Sequence, residues 1–367
     1  MTNRRTFLQA SLLTTLSSPL LAALKQGNLS AAEETLVAAT RSGLIDAASL
    51  HVQQGTEKFQ RTFGSSKSPD DIFLLASISK PISIAAVMKL YDQGQFDLND
   101  PVKKFIPEFK GDGRDTITMR QLMTHVSGLP DQLPQNAQFR SKHAELKEFV
   151  DAAIQTPLLF PAGTKYSYSS MAILLATEVA MRLTGKPIAR IVEENVYQPL
   201  EMKHSALGLG AFKLESVMKV QVENAAPESG SGAPSTKSWD WNSLYWRQLG
   251  APWGTAHGSA ADVAIFLNEL LQPSGRILKP KTAQLMTTNQ NPRGIRPRAL
   301  GFDLGSHCGG PGCSEQTFGH TGSTGTLCWA DPATGTTCVI LTTLPGRAIT
   351  PHPRKTASDQ VARAANS

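Results

Sequence analysis

Cysteine is scarce in this sequence and absent from its first 307 residues. The chain has 367 residues, and its four cysteines are Cys308, Cys313, Cys328 and Cys338. No Cys-x-x-Cys motif and no spaced pair of histidines accompanies them, which argues against a thiol redox centre and against a metal site. An even number of cysteines is typical of disulfides in an oxidising compartment. Cys328 and Cys338 flank a turn, so they are candidates to face each other across a hairpin.

Charged and aromatic residues are also few, at 18% and 7% of the chain. The formal net charge is +6, but Arg4, Arg5 and Lys25 supply three of these charges from the first 32 residues. No basic stripe interleaved with aromatic residues occurs in the remainder, so we expect no nucleic-acid partner. The 40% hydrophobic content predicts a packed globular protein.

Acidic residues are missing from residues 1–32, where Arg4 and Arg5 precede an uncharged stretch from Thr6 to Leu24. Several polar residues interrupt that stretch, which disfavours a membrane-spanning helix. Paired arginines before a moderately apolar segment resemble a twin-arginine export signal. Ser30-Ala31-Ala32 is a candidate cleavage site. We therefore predict an exported bacterial protein, periplasmic or extracellular, with no stable membrane anchor after signal removal.

The remaining residues, 33–367, are predicted to form one catalytic domain. Strand-like alternation occurs near both ends, and helical periodicity dominates the middle. The predicted strands cover residues 49–53, 58–63, 300–304, 317–321, 326–330 and 336–343. The main predicted helices cover residues 33–41, 77–93, 119–126, 146–154, 170–184, 187–196, 259–271, 280–286 and 357–365, and residues 225–237 are predicted to be a flexible loop. The pattern indicates a mixed α/β fold of the α+β type. Its antiparallel sheet comes from about 33–76 and 295–367, with terminal helices flanking it and a mainly helical insertion at about 77–294.

A serine and a lysine three residues apart occur twice, as Ser77 with Lys80 and as Ser216 with Lys219. Residues i and i+3 share a helix face, so a neutral amine there can accept the proton of the hydroxyl. Pro81 is tolerated only in a first helical turn, which places Ser77 at a helix N-terminus where developing negative charge is favoured. Ser216 lacks this context, so the first copy is the stronger candidate for a nucleophile and base.

Two further motifs follow Ser77 in order: Tyr168-Ser169-Ser170, and His320-Thr321-Gly322 in a strand-like setting. With SISKPISIAAVMKLYDQGQFDL, ITMRQLMTHVSGLP, FPAGTKYSYSSMAILLATE and GHTGSTG, the chain resembles the serine beta-lactamase and penicillin-binding-protein superfamily. The likeness is to the branch that holds class C beta-lactamases, D-alanyl-D-alanine carboxypeptidases and related esterases, and it runs from about residue 34 to 345.

The resemblance implies a beta-lactamase/transpeptidase-like fold and a serine hydrolase that works through an acyl-enzyme. Ser77 would be the nucleophile, Lys80 and Tyr168 would share the role of base, and the backbone N–H groups of Ser77 and Ser323 would form the oxyanion hole. Ser170, His320, Thr321 and Gly322 would contact a small ester or amide substrate. Neither a metal nor an organic cofactor is implied.

Two residues depart from the pattern of the beta-lactam-processing members. Ser170 stands where the second motif usually ends in Asn, and His320 stands where the third usually begins with Lys. A histidine of ordinary pKa is mostly neutral near pH 7 and anchors a substrate carboxylate poorly. An ester needs no such anchor, so carboxylic-ester hydrolysis is the predicted activity. The alternatives are a class C-like beta-lactamase, a D-alanyl-D-alanine carboxypeptidase, or a non-enzymatic receptor for penicillin or cell-wall peptides.

Aromatic residues cluster in one place, at Trp239, Trp241, Tyr245, Trp246 and Trp253. Two interpretations stay open for this cluster. It is either a surface flap that packs on itself or an apolar wall for the acyl group of a substrate.

Overall fold

Six antiparallel strands from both ends of the chain form the main sheet of the computed structural model, which describes residues 29–367. Their order across the sheet is β2-β1-β9-β8-β7-β6. A second, three-stranded sheet has the order β3-β5-β4. The strands are β1 (Ala47–Gln54), β2 (Glu57–Gly64), β3 (Phe73–Leu74), β4 (Ala206–Leu207), β5 (Ala256–Gly258), β6 (Asp303–Leu304), β7 (Phe318–Thr321), β8 (Leu327–Asp331) and β9 (Thr336–Thr342).

Helices cover both faces of the main sheet and form most of the segment between β2 and β6. They are α1 (Ser30–Arg41), α2 (Ser79–Asp92), α3 (Met119–Met123), α4 (Asn136–Ser141), α5 (Leu146–Gln155), α6 (Ser170–Thr184), α7 (Ile188–Val192), α8 (Gln198–Leu200), α9 (Leu244–Gln248), α10 (Ala260–Leu271), α11 (Pro280–Thr287), α12 (Ser306–Gly309) and α13 (Pro353–Ala365). The predicted α+β fold and its helical insertion are confirmed. No helix within residues 29–367 is long and apolar enough to cross a membrane.

The alternation of side chains along β1 and β9 divides the interior between two hydrophobic clusters. Leu50 and Ile340 are paired across the two strands and pack with α1 and α13 on one face. Ala47, Val339 and Leu341 pack instead with the helical segment on the other face. Because successive strand residues point to opposite faces, the central strand β9 is buried along its whole length.

The N-terminal helix begins at Ser30, three residues before the predicted start at residue 33. Leu29 and Ala32 are buried, so the residues proposed for signal cleavage belong to a helix that packs on the sheet. The predicted export signal itself falls mainly on residues 1–28, which lie outside the described residues.

Cys328 and Cys338, the candidates to face each other across a hairpin, do not face each other. In the β8–β9 hairpin Cys328 lies opposite Val339, and Cys338 lies opposite Trp329. The register differs by one residue from the expected one, and a shift of one residue places a side chain on the other face of a sheet. All four cysteines are free thiols, and Cys328 and Cys338 belong to the two different hydrophobic clusters.

The small sheet was not predicted, because strands of two or three residues carry no readable alternation. Residues 225–237 form a series of single 3-10 turns at Pro227–Ser229 and Pro234–Thr236 rather than an unstructured loop. The small sheet matters for the site because β3 leads directly into the turn that carries Ser77.

Candidate active site

Ser77 lies in a short 3-10 turn, Ala76–Ile78, between β3 and α2. Every residue from 72 to 88 is buried except Ser77, which is partly exposed. Ala76 has a φ of 48°, an unusual conformation for a residue with a side chain. The chain therefore turns sharply to present one hydroxyl at the start of a buried helix, as the position of Pro81 predicted.

Lys80 is buried, with 1% of its surface exposed, and its Nζ donates hydrogen bonds to Ser77 Oγ and to the Trp253 carbonyl oxygen, both at 3.0 Å. The pKa of this amine is lowered to about 7, chiefly by burial; the Asp131 carboxylate opposes this shift and the Arg298 guanidinium adds to it. A substantial fraction of Lys80 is therefore neutral at pH 7. A neutral amine at this distance can accept the Ser77 proton.

The second serine–lysine copy has no such geometry. Ser216 and Lys219 are both exposed, and Ser216 Oγ donates to the Lys213 carbonyl oxygen at 2.8 Å. Neither residue lines the cavity at Ser77. The local context that favoured the first copy in the sequence agrees with the structure.

Tyr168 lies beside Lys80, whose Nζ is 4.7 Å from the centre of the phenol ring. The next residue, Ser169, caps α6: its side chain accepts a hydrogen bond from the Ala172 N–H. The buried His125 ring packs 4.7 Å from the Tyr168 ring and accepts the Ser169 N–H on Nδ1. Burial raises the pKa of Tyr168, against the opposing effect of Arg298, so the phenol is neutral near pH 7.

Ser170 lines the cavity, but its hydroxyl is already engaged. Its Oγ donates to Asp131 Oδ1 at 2.6 Å, and its backbone N–H donates to the same oxygen at 2.9 Å. The side chain can therefore offer a substrate only an acceptor. Asp131 also lines the cavity and lies close enough to act on the charge of Lys80.

His320 stands on β7 and is 2% exposed. Its Nδ1 lies 2.7 Å from the Thr321 carbonyl oxygen, and its Nε2 lies 2.9 Å from Arg298 Nη2. Because a guanidinium can only donate, Nε2 is the acceptor and Nδ1 carries the proton. Burial, followed by the Arg298 charge, lowers the pKa of His320 to about 3. His320 is therefore neutral at physiological pH.

The residues after His320 form a tight turn against the Ser77 segment. Thr324 Oγ1 donates to the Leu74 carbonyl oxygen and Thr326 Oγ1 to the Leu75 carbonyl oxygen. Gly322 is packed so closely against Leu75 and Thr326 that a Cβ would overlap both. Among the described residues no acceptor is bonded to the Ser323 N–H, and Ser323 lines the cavity. Ser77 and Ser323 are thus held at one cavity, as an oxyanion hole requires.

The structure adds residues to the site, of which Arg298 and Asp131 were missed by sequence reasoning. Arg298 is fully buried, pairs with Asp303 and fixes the protonation of His320. Asp131 holds Ser170, and His125 supports Tyr168. None of these contacts is encoded at a fixed spacing. The only signal for His125 and Asp131 is that they flank the Ser-Gly-Leu-Pro turn between two motifs.

The cavity at Ser77 has a volume of about 460 Å³. Ser77, Lys80, Tyr168, Ser170, His320, Thr321, Gly322 and Ser323, all of the predicted site residues, line it. Three tryptophans, Trp241, Trp246 and Trp253, form one wall. Within residues 29–367, no group of three or more His, Cys, Asp or Glu side chains is arranged to hold a metal ion.

The family model described as Beta-lactamase matches residues 31–362 of the chain. An Escherichia coli (strain K12) protein named "Putative D-alanyl-D-alanine carboxypeptidase" is 26% identical over 285 residues, which cover 71% of this chain and 66% of that protein. A protein of the same name from Salmonella agona (strain SL483) is 26% identical over 70% of this chain and 65% of its own length. The chain thus spans just under two thirds of the length of these relatives.

Solved structures share the fold at low sequence identity. EstCE1, a hydrolase with promiscuous acyltransferase activity, has a TM-score of 0.75 and 19% identity over 92% of this chain and 99% of its own. A penicillin-binding protein homologue from Caulobacter crescentus has a TM-score of 0.75 and 21% identity over 94% and 99% of the two chains. A D-stereospecific amidohydrolase from Streptomyces sp. has a TM-score of 0.68 and 24% identity over 86% and 94%.

The family match covers nearly the whole described chain, and these solved structures share its fold. The resemblance inferred from the sequence is confirmed. The chain belongs to the beta-lactamase family.

Proposed function

We propose that this protein is a serine esterase that hydrolyses carboxylic esters through an acyl-enzyme on Ser77. The observation that carries the proposal is the 3.0 Å contact between Ser77 Oγ and the Nζ of a buried lysine with a pKa of about 7. This contact supplies an activated nucleophile without a cofactor.

In acylation, Ser77 Oγ attacks the ester carbonyl carbon while its proton passes to Lys80 Nζ. The oxyanion that forms is stabilised by the backbone N–H groups of Ser77 and Ser323. When the tetrahedral intermediate collapses, the C–O bond to the alcohol breaks and the departing oxygen takes the proton from Lys80. Tyr168, a neutral phenol beside Lys80, is placed to relay that proton to the leaving group.

Deacylation repeats these steps with water. A water molecule attacks the acyl carbon, and its proton passes to the neutral Lys80, directly or through Tyr168. When the intermediate collapses, the bond from the acyl carbon to Ser77 Oγ breaks, Oγ takes the proton from Lys80, and the carboxylic acid is released. The elevated pKa of Tyr168 argues against a resting tyrosinate. It therefore supports Lys80 as the group that accepts the proton of Ser77 and later that of water. This assignment narrows the shared role of the two residues expected from the sequence.

Two features favour an ester over a beta-lactam or a D-alanyl peptide. His320 is neutral and donates its one proton to Thr321, so the third motif has no cation for a substrate carboxylate. The Ser170 hydroxyl is used by Asp131, so the second motif has no free donor for a substrate amide carbonyl. Both features leave the nucleophile, base and oxyanion hole intact.

The test compares hydrolysis of p-nitrophenyl butyrate and nitrocefin by the wild-type protein, by Ser77→Ala and by Ser216→Ala. Ser216→Ala is the matched control, because it alters the other serine–lysine copy. We expect ester turnover that Ser77→Ala abolishes and Ser216→Ala leaves unchanged. Faster turnover of nitrocefin than of the ester would replace the esterase by a beta-lactamase.

A second candidate function is removal of a terminal D-alanine from a peptide. The names of the curated relatives point to it, and the exposed Arg347 lines the cavity next to the turn of Ser323, where it could hold a carboxylate. Release of D-alanine from a D-alanyl-D-alanine peptide faster than ester cleavage, with a loss in Arg347→Gln, would favour this function.

We also propose that the protein is exported in folded form, which the paired arginines of residues 4 and 5 support. Fractionation of bacterial cells checks this. Conservative replacement of both arginines by lysine should leave the protein in the cytoplasm, and unchanged export would contradict a twin-arginine signal.

A further inference from the structure

The tryptophan wall of the cavity leads from Lys80 to a second buried cation, Arg140. Lys80 Nζ donates to the Trp253 carbonyl oxygen, and the rings of Trp253 and Trp246 are 6.3 Å apart. The Arg140 guanidinium carbon lies 3.6 Å from the centre of the Trp246 ring. All four residues line the same cavity as Ser77. An extended chain attached to Ser77 could therefore follow an apolar surface that ends at a positive charge.

Arg140 has fewer partners than the other buried arginines of the described chain. It is 1% exposed, and its one hydrogen bond runs from Nε to Asn136 Oδ1 at 3.3 Å. Its Nη1 is buried without a partner, and no ion pair to a described residue reaches it. Two or more hydrogen bonds are made by each of the other buried arginines, which are Arg114, Arg247, Arg298 and Arg354.

The acids around the cavity do not neutralise Arg140. Asp303 pairs with Arg296 and Arg298, and Asp131 accepts the hydrogen bonds of Ser170. Glu228 acts on Arg140 at longer range but makes no ion pair with it. Burial lowers the pKa of Arg140 to about 10, so it stays charged at neutral pH. A buried, unpaired charge is costly to maintain, and buried arginines are ordinarily paired. A ligand that supplies an anion would complete this site.

We propose that Arg140 is a specificity-determining residue that binds a carboxylate at the far end of the substrate's acyl chain. The preferred substrate is then an ester of a dicarboxylic acid with one free acid group. The methylene chain packs on Trp253 and Trp246, and the carboxylate accepts a charge-assisted hydrogen bond from Nη2 of Arg140. This inference rests on the proposed esterase function and names the substrate class of the same site.

The experiment compares mono-p-nitrophenyl esters of glutaric to suberic acid with neutral p-nitrophenyl esters of equal chain length. We expect the wild-type protein to favour the acid esters at one chain length. In Arg140→Gln, kcat/KM for that acid ester should fall about 10- to 100-fold through KM, because a hydrogen-bonded charge is lost. Turnover of the neutral esters should change less than about threefold, because the substituted side chain does not contact the reacting atoms.

Arg347→Gln is the matched control, because it removes a charge from the exposed rim of the same cavity. An equal loss in Arg347→Gln would show general electrostatic attraction and overturn the role of Arg140. Absence of an acid preference in the wild-type protein would also overturn it. The role of Arg140 would also be overturned if the protein preferred esters with the carboxylate on the alcohol side, and if Arg347→Gln but not Arg140→Gln lost that preference.

Two further measurements separate folding and chemistry from binding. If Arg140→Gln also loses turnover of the neutral esters, Arg140→Lys is measured, because it keeps the charge. A retained preference of Arg140→Lys for the acid esters supports the proposal. Loss of that preference, with full turnover of the neutral esters, shows that the fork geometry of the guanidinium is needed. If the wild-type protein cleaves no ester, the proposed function fails by itself. Stabilisation of the wild-type protein, but not of Arg140→Gln, by free adipate would then still support the anion site, and no stabilisation of either would end it.

Discussion

Lys80 illustrates how a single side chain acquires its chemistry from burial. On a solvated helix face the same amine would be fully protonated at pH 7, as expected for a lysine of ordinary pKa. Inside the protein its pKa is about 7, because desolvation opposes the charge. The three-residue spacing from Ser77 was readable in the sequence. The surroundings that make the spacing useful include the Trp253 carbonyl oxygen and the charge of Arg298, and both residues are far away along the chain.

The first prediction concerns the pH dependence that Lys80 imposes. A lowered pKa means that the amine is neutral above about pH 7 and protonated below it, where it cannot accept the Ser77 proton. We expect kcat/KM for p-nitrophenyl butyrate to rise between pH 5 and 7 and to level off above about pH 7.5. Lys80→Arg should be inactive at every pH, since arginine stays protonated. A flat profile from pH 5 to 9 would contradict Lys80 as the base.

The second prediction concerns Gly322, which touches Leu75 and Thr326 with no room for a Cβ. Gly322→Ala should push the Ser323 N–H away from the oxyanion and lower kcat about 100- to 1,000-fold, the cost of one oxyanion donor. Gly275→Ala is the control, because Gly275 has open space around it and a φ of 88°, so that an added Cβ there meets only backbone strain. It should lower the free energy of unfolding by about 1 kcal/mol and leave kcat unchanged. Normal kcat in Gly322→Ala would refute the close-approach argument.

The sequence identified residues that line one cavity where a short motif contains them, and it did not identify residues that join the site only through a contact. Ser77, Lys80, Tyr168 and His320 were found from short motifs read together. The partners of those residues come from other elements, so no local pattern marks them. Arg298 is the clearest case, because its effect on His320 depends on two strands meeting.

At the scale of elements, the C-terminal helix α13 stabilises the turn that carries Ser323. Arg354, at the second residue of α13, donates from Nη1 to the carbonyl oxygens of Gly322 and Thr326. These two carbonyls lie at either end of the turn that contains Ser323. The C-terminal helix therefore fixes a turn that takes part in the site, although the helix was predicted only as part of a cover for the sheet.

The third prediction tests this support. Arg354→Gln should lower kcat about tenfold or more, because two charge-assisted hydrogen bonds to the turn are lost. KM should change little if Arg354 acts by holding the turn. Lys355→Gln, which removes the adjacent exposed charge, is the control and should resemble the wild type. A change in KM alone would indicate direct substrate contact instead, since Arg354 also lines the cavity.

Elements with clear periodicity were predicted within a few residues, including β1, β2, α6 and α10. The three-stranded sheet was missed, because hydrogen bonds among short distant segments define it. The register of the β8–β9 hairpin was also missed. The turn length decides that register, and an error of one residue was enough to place Cys328 and Cys338 on opposite faces.

At the scale of the whole molecule, buried histidines link stability to pH. Burial lowers the pKa of His51 and His352 to about 4 and that of His257 and His320 to about 3, and it lowers the pKa of His125 strongly. The unfolded chain binds protons at these groups below about pH 6.5, whereas the folded chain does not. Acid therefore favours the unfolded state.

The fourth prediction follows from that sign. The contribution of these histidines to the free energy of unfolding should not change between pH 8 and about 7. As the pH is lowered further, the free energy of unfolding should fall by about 1.4 kcal/mol per pH unit for each buried histidine. We expect cooperative loss of the circular dichroism signal at about pH 5. His51→Gln, which removes one titrating group, should make the dependence on pH shallower. Unchanged stability down to pH 4 would contradict the prediction.

The pairing of β1 with β9 has a consequence for synthesis of the protein. Leu50 and Ile340 are partners, so 290 residues separate the two sides of the sheet's centre. At a translation rate of about 5 to 20 residues per second, β1 leaves the ribosome about 15 to 60 seconds before its partner. During that interval the first hairpin has an open edge and an uncovered apolar face. Completion of the sheet must wait for β9, and until then the nascent chain needs another contact to protect that edge.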